Sequence, residues 1–216
     1  MKIVFILTAL VYALDLQATQ IVLKDDGKYR ILSSIHLVND VPYKEGTYQA
    51  LIEIPAGSTA KWEVDHNTGH LEWEFRDSKP RNVKFLGYPG NYGFIPQTIL
   101  DKSDGGDGDP LDIIVLGPSV KQGSIQKVRI IGAIKLLDSG EQDDKIIAIP
   151  LESPFEKIES IGEMMVEFPG VIEIVRYWFE GYKGSKMQFM GYMEQAQAQA
   201  LVEKAHTSWS KHKNDH

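Results

Sequence analysis

The chain contains no cysteine. That absence excludes disulfides, thiolate nucleophiles, iron–sulfur clusters and Cys-ligated zinc. It fits either redox compartment and decides nothing about location. Long hydrophobic runs are missing too. The apolar stretch from Ile3 to Leu14 falls short of the roughly 20 residues that a membrane span needs. Positive charge is in deficit, with 23 Lys and Arg against 30 Asp and Glu and a net charge of -7. Such a chain is a poor binder of nucleic acid or of anionic membranes. An anionic substrate stays open, because metal ions and a local Lys/Arg cluster can invert the field inside a cleft. The six histidines show no paired helical metal spacing. There is no internal repeat and no low-complexity linker. What remains is a chain of 216 residues, 43% hydrophobic, enough for one domain with a sizeable core or at most two small ones.

Lys2 followed by Ile3–Leu14 has the form of a charged leader and a hydrophobic segment. A secretory signal has this form, and cleavage after Ala18 would leave the net charge unchanged, since Lys2 and Asp15 are lost together. The expectation is a signal peptide over 1–18 and an exported chain, periplasmic or secreted. Without cysteine no lipoprotein anchor follows, and no stable membrane insertion outlasts cleavage. The alternatives are a buried N-terminal strand or helix and a cytoplasmic protein.

The densest chemistry lies in Asp107-Gly108-Asp109-Pro110-Leu111-Asp112. Three carboxylates in six residues repel and raise one another's pKa. Asp101 and Asp104 add acid upstream, and Ile113-Ile114-Val115-Leu116 follows as a buried strand would. Gly105, Gly106 and Gly108 rule out a stable helix and let the backbone fold tightly. An all-oxygen donor set suits Mg²⁺ or Mn²⁺. A solvated acidic loop is the competing reading. An EF-hand is disfavoured because Leu111 or Gly106 falls where a ligand should stand.

Residues 19–47 read as a polar N-terminal arm with one weak helix or strand. Tyr48–Ile54, Lys61–Asp65 and Leu71–Arg76 read as strands, the last two as a hairpin about Asn67-Thr68-Gly69. Tyr88–Gly93 reads as a glycine-rich loop. Strands are expected again over 111–117, 125–136 and 145–149, and amphipathic helices after Gly170 and over 194–210. Short strands at this spacing suggest a closed or strongly curved sheet. The expected fold is α+β, a small closed β-barrel with two packed C-terminal helices, as one domain over 48–216.

Taken singly, the other polar candidates are bland. Glu53 interrupts an apolar run, Lys61 and Glu63 share a strand face, Asp138 and Asp143 flank a turn, and Tyr182-Lys183 ends a helix. As a set they supply acids on four segments with Lys, Arg and Tyr on others, the groups a two-metal phosphoryl site needs. The set resembles the soluble family I inorganic pyrophosphatases. Asp107–Asp112 is similar to the family signature Asp-x-Asp-Pro-x-Asp. Ile52-Glu53-Ile54-Pro55, Lys61-Trp62-Glu63, Tyr88–Gly93, Asp138–Lys145 and Tyr182-Lys183 stand around it in order.

The resemblance implies a five-stranded OB-like core and hydrolysis of pyrophosphate to two orthophosphates by a metal-activated water. It implies several Mg²⁺ per site, with Mn²⁺ or Zn²⁺ as substitutes. Glu53, Asp107, Asp109, Asp112, Asp138 and Asp143 would hold metal. Lys61, Glu63, Arg76, Tyr88, Tyr92, Lys145, Tyr182 and Lys183 would line the substrate. Asp109 is the expected base, with Lys61 and Tyr92 beside the reaction. Arg81 competes with Arg76 for the phosphate role, and Arg76 is preferred because it ends an alternating strand. A homo-oligomer is implied, hexamer over dimer. The rivals are a non-enzymatic Ca²⁺ module, which leaves the lysines unexplained, and an organic-phosphate or nucleotide hydrolase, which would want a base pocket.

Overall fold

A computed structural model describes residues 21–23 and 27–214. The expected leader lies outside them. The strands, in chain order, are β1 (Ile21–Leu23), β2 (Tyr29–Ile31), β3 (Lys44–Glu45), β4 (Thr47–Ile54), β5 (Trp62–Val64), β6 (Leu71–Trp73) and β7 (Phe75–Arg76). They continue as β8 (Lys79–Pro80), β9 (Asn91–Phe94), β10 (Asp112–Val115), β11 (Ile125–Asp138), β12 (Glu141–Gln142), β13 (Lys145–Pro150) and β14 (Met187–Glu194). The helices are α1 (Ile161–Glu167), α2 (Val171–Tyr182) and α3 (Gln195–Asn214).

Five strands close a ring. β4 pairs with β9, β9 with β10, β10 in parallel with β13, β13 with β11, and β11 back to β4. This is the closed five-stranded core that the sequence led us to expect. Closure rests on the length of β11. Ile125–Val128 pairs with β4, Val128–Ile134 with β13, and Gly132–Asp138 with β14. The β11–β13 register shifts between Ile130 and Gly132. Such a bulge bends a strand and increases its twist. Any side chain at Gly132 would meet the Met193 carbonyl oxygen at 2.5 Å.

The ring strands are buried on both faces. One face, with Leu51, Phe94, Ile114, Ile147 and Ile149, packs against α1, α2 and the small sheet β1–β2–β6–β5. The other, with Ala50, Ile113, Ile130, Ile146 and Ala148, packs against Ala198, Val202 and Ala205 of α3. Small residues on α3 let that helix lie close to the sheet. Among the described residues no helix is long and apolar enough to cross a membrane.

Several local expectations change. Tyr88–Gly93 is not all loop, because Asn91–Phe94 forms β9. Gly93 permits it: a Cβ there would fall 1.8 Å from the Leu51 carbonyl oxygen of β4. The strand read from Leu71 to Arg76 breaks at Glu74, whose N–H turns to the Lys61 carbonyl at 2.9 Å. Three helices form rather than two, since Ser160 caps α1 by accepting from Glu163 N–H at 3.1 Å. β14 is a further strand that the hydrophobic pattern does not announce. Residues of the N-terminal arm join the core, with Leu37, Val38 and Val41 buried and β2 paired to β6.

Candidate active site

Five loops and strand ends converge on the ring face that carries α2. Glu53 sits where the pairing of β4 with β9 shifts register between Ile52 and Ile54. The bulge re-aims a carboxylate out of an apolar strand, and Glu53 Oε1 accepts the Val64 N–H of β5 at 2.7 Å. Lys61, just before β5, bonds Glu63 Oε1 at 2.7 Å and lies 5.3 Å from the centre of the Tyr92 ring. The loop entering β10 is shaped by Asp107, which accepts the Asp109 N–H at 2.9 Å. Asp138 ends β11 at a Ser139-Gly140 turn, both residues at positive φ, the usual chemistry of a tight hairpin. Lys183 follows the last turn of α2, where the helix dipole favours a cation.

β10 and β13 run parallel with Ile113 opposite Ile146. Their first residues, Asp112 and Lys145, therefore emerge side by side. Lys145 Nζ bonds Asp112 Oδ2 at 2.5 Å and Asp143 Oδ1 at 2.6 Å. Lys183 Nζ bonds Asp138 Oδ2 at 2.5 Å. These contacts surround a cavity of about 410 Å³.

The electrostatics follow from burial. Burial pushes the Glu53 carboxyl up to about 8, against the pull of Lys61. Burial also raises Asp143, and Asp112 adds to the effect despite Lys145. Burial opposes the Lys145 charge, but Asp112 and Asp143 outweigh it and raise its pKa. Around Asp138 burial is overcome by the Lys183 hydrogen bond, and the carboxyl is held low. Tyr92 is raised well above the usual phenol range by burial, so it stays a hydrogen-bond donor.

Asp143 Oδ2 is buried and has no hydrogen-bond partner among the described residues. A buried carboxylate oxygen left unmatched is costly, and a hard cation is the partner that an all-carboxylate donor set fits. Among the described residues no three acids or histidines stand at ligating distance of one another; the Lys145 and Lys183 ammonium groups lie between the carboxylates. The cavity thus mixes oxygen donors for cations with ammonium, guanidinium and phenol donors for anions.

Of the residues singled out by sequence, Glu53, Lys61, Glu63, Tyr92, Asp107, Asp109, Asp112, Asp138, Asp143, Lys145, Tyr182 and Lys183 line this cavity. Arg76 and Tyr88 do not. Tyr88 is buried behind it, its ring 5.0 Å from that of Tyr92 and 4.3 Å from that of Trp178. Arg76 leans toward Glu74 at 3.7 Å with its side chain 63% exposed, whereas Arg81 lines the cavity. His66 also lines it, 3.5 Å from Asp109 Oδ1. The sequence offered no signal for His66 beyond its place three residues after Glu63.

The profile of the inorganic pyrophosphatase family matches residues 50–210. A mitochondrial inorganic pyrophosphatase of Saccharomyces cerevisiae is 32% identical over 79% of this chain and 63% of its own length. A chloroplastic soluble inorganic pyrophosphatase of Arabidopsis thaliana is 31% identical over 73% of this chain and 56% of its own. The chain thus spans less than two thirds of the length of these relatives. The type I inorganic pyrophosphatase of Toxoplasma gondii superposes with a TM-score of 0.80 at 25% identity, over 85% of this chain and 93% of that one. The organelles in these relatives' names overturn the expectation of an exported, periplasmic or secreted protein. A leader with a positive residue and an apolar stretch is too generic a pattern to name a compartment. The profile match contains every residue of the cavity, from Glu53 to Lys183, and the chain belongs to the inorganic pyrophosphatase family.

Proposed function

We propose that the chain hydrolyses inorganic pyrophosphate to two orthophosphates, as an inorganic diphosphatase. The observation that carries the reading is the mixture of charges in one cavity. Lys145 lies between Asp112 and Asp143, and Lys183 lies on Asp138. A protein that only bound cations would have no use for buried lysines among its acids. A protein that only bound anions would have no use for the acids. Pyrophosphate carried with divalent cations needs both.

Glu53, Asp107, Asp109, Asp112, Asp138 and Asp143 would hold the cations, with Mg²⁺ favoured by the all-oxygen set and Mn²⁺ or Zn²⁺ as substitutes. When bound, such ions supply charge neutralisation and acidify nearby water. Lys61, Arg81, Tyr92, Lys145, Tyr182 and Lys183 would hold phosphate oxygens, and Glu63 orients Lys61 through their 2.7 Å contact. Tyr88 would support the Tyr92 ring from behind. Asp109 would take the proton from the attacking water. It stands on the exposed lip of the cavity, its loop fixed by the Asp109 N–H on Asp107 and its carboxylate beside His66 at 3.5 Å. Positioning does much of the rest. Residues 48–216, together with the arm residues packed into their core, act as one catalytic domain.

The test is phosphate release from pyrophosphate by the full chain, with Mg²⁺ and after exhaustive chelation. Turnover that needs the metal supports the reading. Metal binding with no phosphate release would favour a cation-binding module instead.

A further inference from the structure

Asp107, Asp109 and Asp112 stand on or at the end of the connection from β9 to β10. Their carboxylates can share cations only if that backbone is held still. β9 and β10 pair antiparallel, with Phe94 opposite Asp112. One step further along, the Ile95 N–H donates to the Leu111 carbonyl at 3.0 Å. A regular antiparallel pair would answer with a bond from the Leu111 N–H straight to the Ile95 carbonyl. Here the Thr98 hydroxyl stands between the two. It accepts the Leu111 N–H at 3.0 Å and donates to the Ile95 carbonyl at 2.6 Å. The hydroxyl takes the place of one rung of the ladder, and the acids begin where that rung is.

Thr98 is 1% exposed, so the Leu111 N–H depends on that hydroxyl. A buried N–H left without an acceptor is costly. Pro110 has no N–H, which makes Leu111 the only backbone donor between Asp109 and Asp112. Two further bonds register the same loop, from Leu100 N–H to the Asp109 carbonyl and from Gly108 N–H to the Leu100 carbonyl, both at 2.8 Å. These run from backbone to backbone, whereas Thr98 acts through its side chain. Gln97 sets Thr98 in place. It takes a positive φ of 54°, uncommon outside glycine, and is held on three sides. Its N–H meets the Val38 carbonyl at 2.9 Å, its Nε2 the Asn39 carbonyl at 2.9 Å, and its own carbonyl lies 2.7 Å from His206 Nδ1.

We propose that Thr98 is a positioning residue for the cation-holding carboxylates. By bridging Ile95 and Leu111 it fixes the spacing of Asp109 and Asp112, and so sets the affinity for the divalent cation. The proposal rests on reading the cavity as a pyrophosphate site that takes its substrate together with such cations.

The experiment compares the full chain with Thr98→Val, which keeps the shape and removes the hydroxyl, and Thr98→Ser, which keeps the hydroxyl. Calorimetry without substrate gives the Kd for Mg²⁺. Thr98→Val should weaken it about tenfold or more, as removal of groups that orient metal ligands does. Thr98→Ser should stay within about twofold of the parent. With Mg²⁺ saturating for each variant, the KM for pyrophosphate should also stay within about twofold. A merely structural role is separated by Val202→Ala, which truncates a buried side chain of α3 and should lower the melting temperature with the Kd unchanged. If Thr98→Val does not fold, the Kd of Thr98→Ala is read in its place. A Kd unmoved by loss of the hydroxyl would overturn the proposal. So would a serine variant as weak as the valine one, or Val202→Ala losing as much Mg²⁺ affinity. A parent that binds Mg²⁺ but releases no phosphate from pyrophosphate overturns the reading of the cavity alone, and the Kd still judges Thr98. A parent that binds no Mg²⁺ overturns both.

Discussion

Asp109 stands on the loop that enters β10, with its N–H bonded to the Asp107 carboxylate. Asn at 109 keeps the shape but loses charge and basicity. Asp109→Asn should lower pyrophosphate turnover about 10²–10⁴-fold with the thermal melt little changed; activity within a few-fold of the parent would remove Asp109 from the reaction. For the guanidinium, Arg81→Ala should raise the KM for pyrophosphate about tenfold or more, while Arg76→Ala should leave it near the parent value. The reverse order would restore Arg76 to the role its sequence position suggested. Arg76 is turned away from the cavity for a local reason. Asp77 and Ser78 both take positive φ, at 52° and 59°, in a hairpin without glycine to announce it, and Arg81 returns on β8's far side. Glu53 was legible only as an oddity in an apolar run, since a bulge that re-aims it has no sequence mark. Its carboxyl, raised by burial to about 8 from 4.5, holds a proton longer in the folded chain than in the unfolded one. The unfolded chain then binds fewer protons between those values, and stability falls as pH rises through that window. In chelator, Glu53→Gln should flatten the decline in melting temperature between about pH 5 and pH 8. Parallel slopes for parent and variant would count against it.

At the scale of elements, β4 and β9 approach more closely than any side chain allows at Gly93. Gly93→Ala must push the Leu51 carbonyl away and loosen the pair that carries Glu53 and Tyr92. Overpacking of this kind costs about 1–3 kcal/mol, and more where backbone is the obstacle. The expected result is a lower melting temperature together with weaker turnover. A variant that melts with the parent would mean the two strands can part without penalty. The elements that the sequence made plain, β10, β11, β13, α2 and α3, have long apolar runs or a sustained helical period. Those it concealed lack such a signal. Gly90 and Gly93 make β9 look like a loop. Gln188 and Gly191 interrupt β14, which is only partly buried. α1 has seven residues, too few for a period to emerge, although Ser160 three places before Glu163 has the form of a capping box.

At the scale of the whole molecule, seven acids share one cavity, and the folded chain alone brings them together. A cation that binds only that state stabilises it by about 2.7 kcal/mol at a hundredfold excess over Kd. For a domain of this size that is a rise of roughly 5–10 °C in Tm, measured by melting with Mg²⁺ against chelator; coincident melts would argue that the acids do not act as a set. Closure of the sheet was legible from many short strands, but the share of the arm in the core was not, because Leu37, Val38 and Val41 fall in turn-rich sequence without a period. The ring has a further consequence, in the time domain of synthesis. Leu51 of β4 pairs with Ile125 of β11. At about 5–20 residues per second, a ribosome needs roughly 4–15 s to deliver the second partner after the first. Through that interval β4 is an unsatisfied, apolar edge on a nascent chain, and such an edge is where another chain can add. The wait for β11, rather than any weakness of the finished ring, is what leaves that edge of β4 open to another chain.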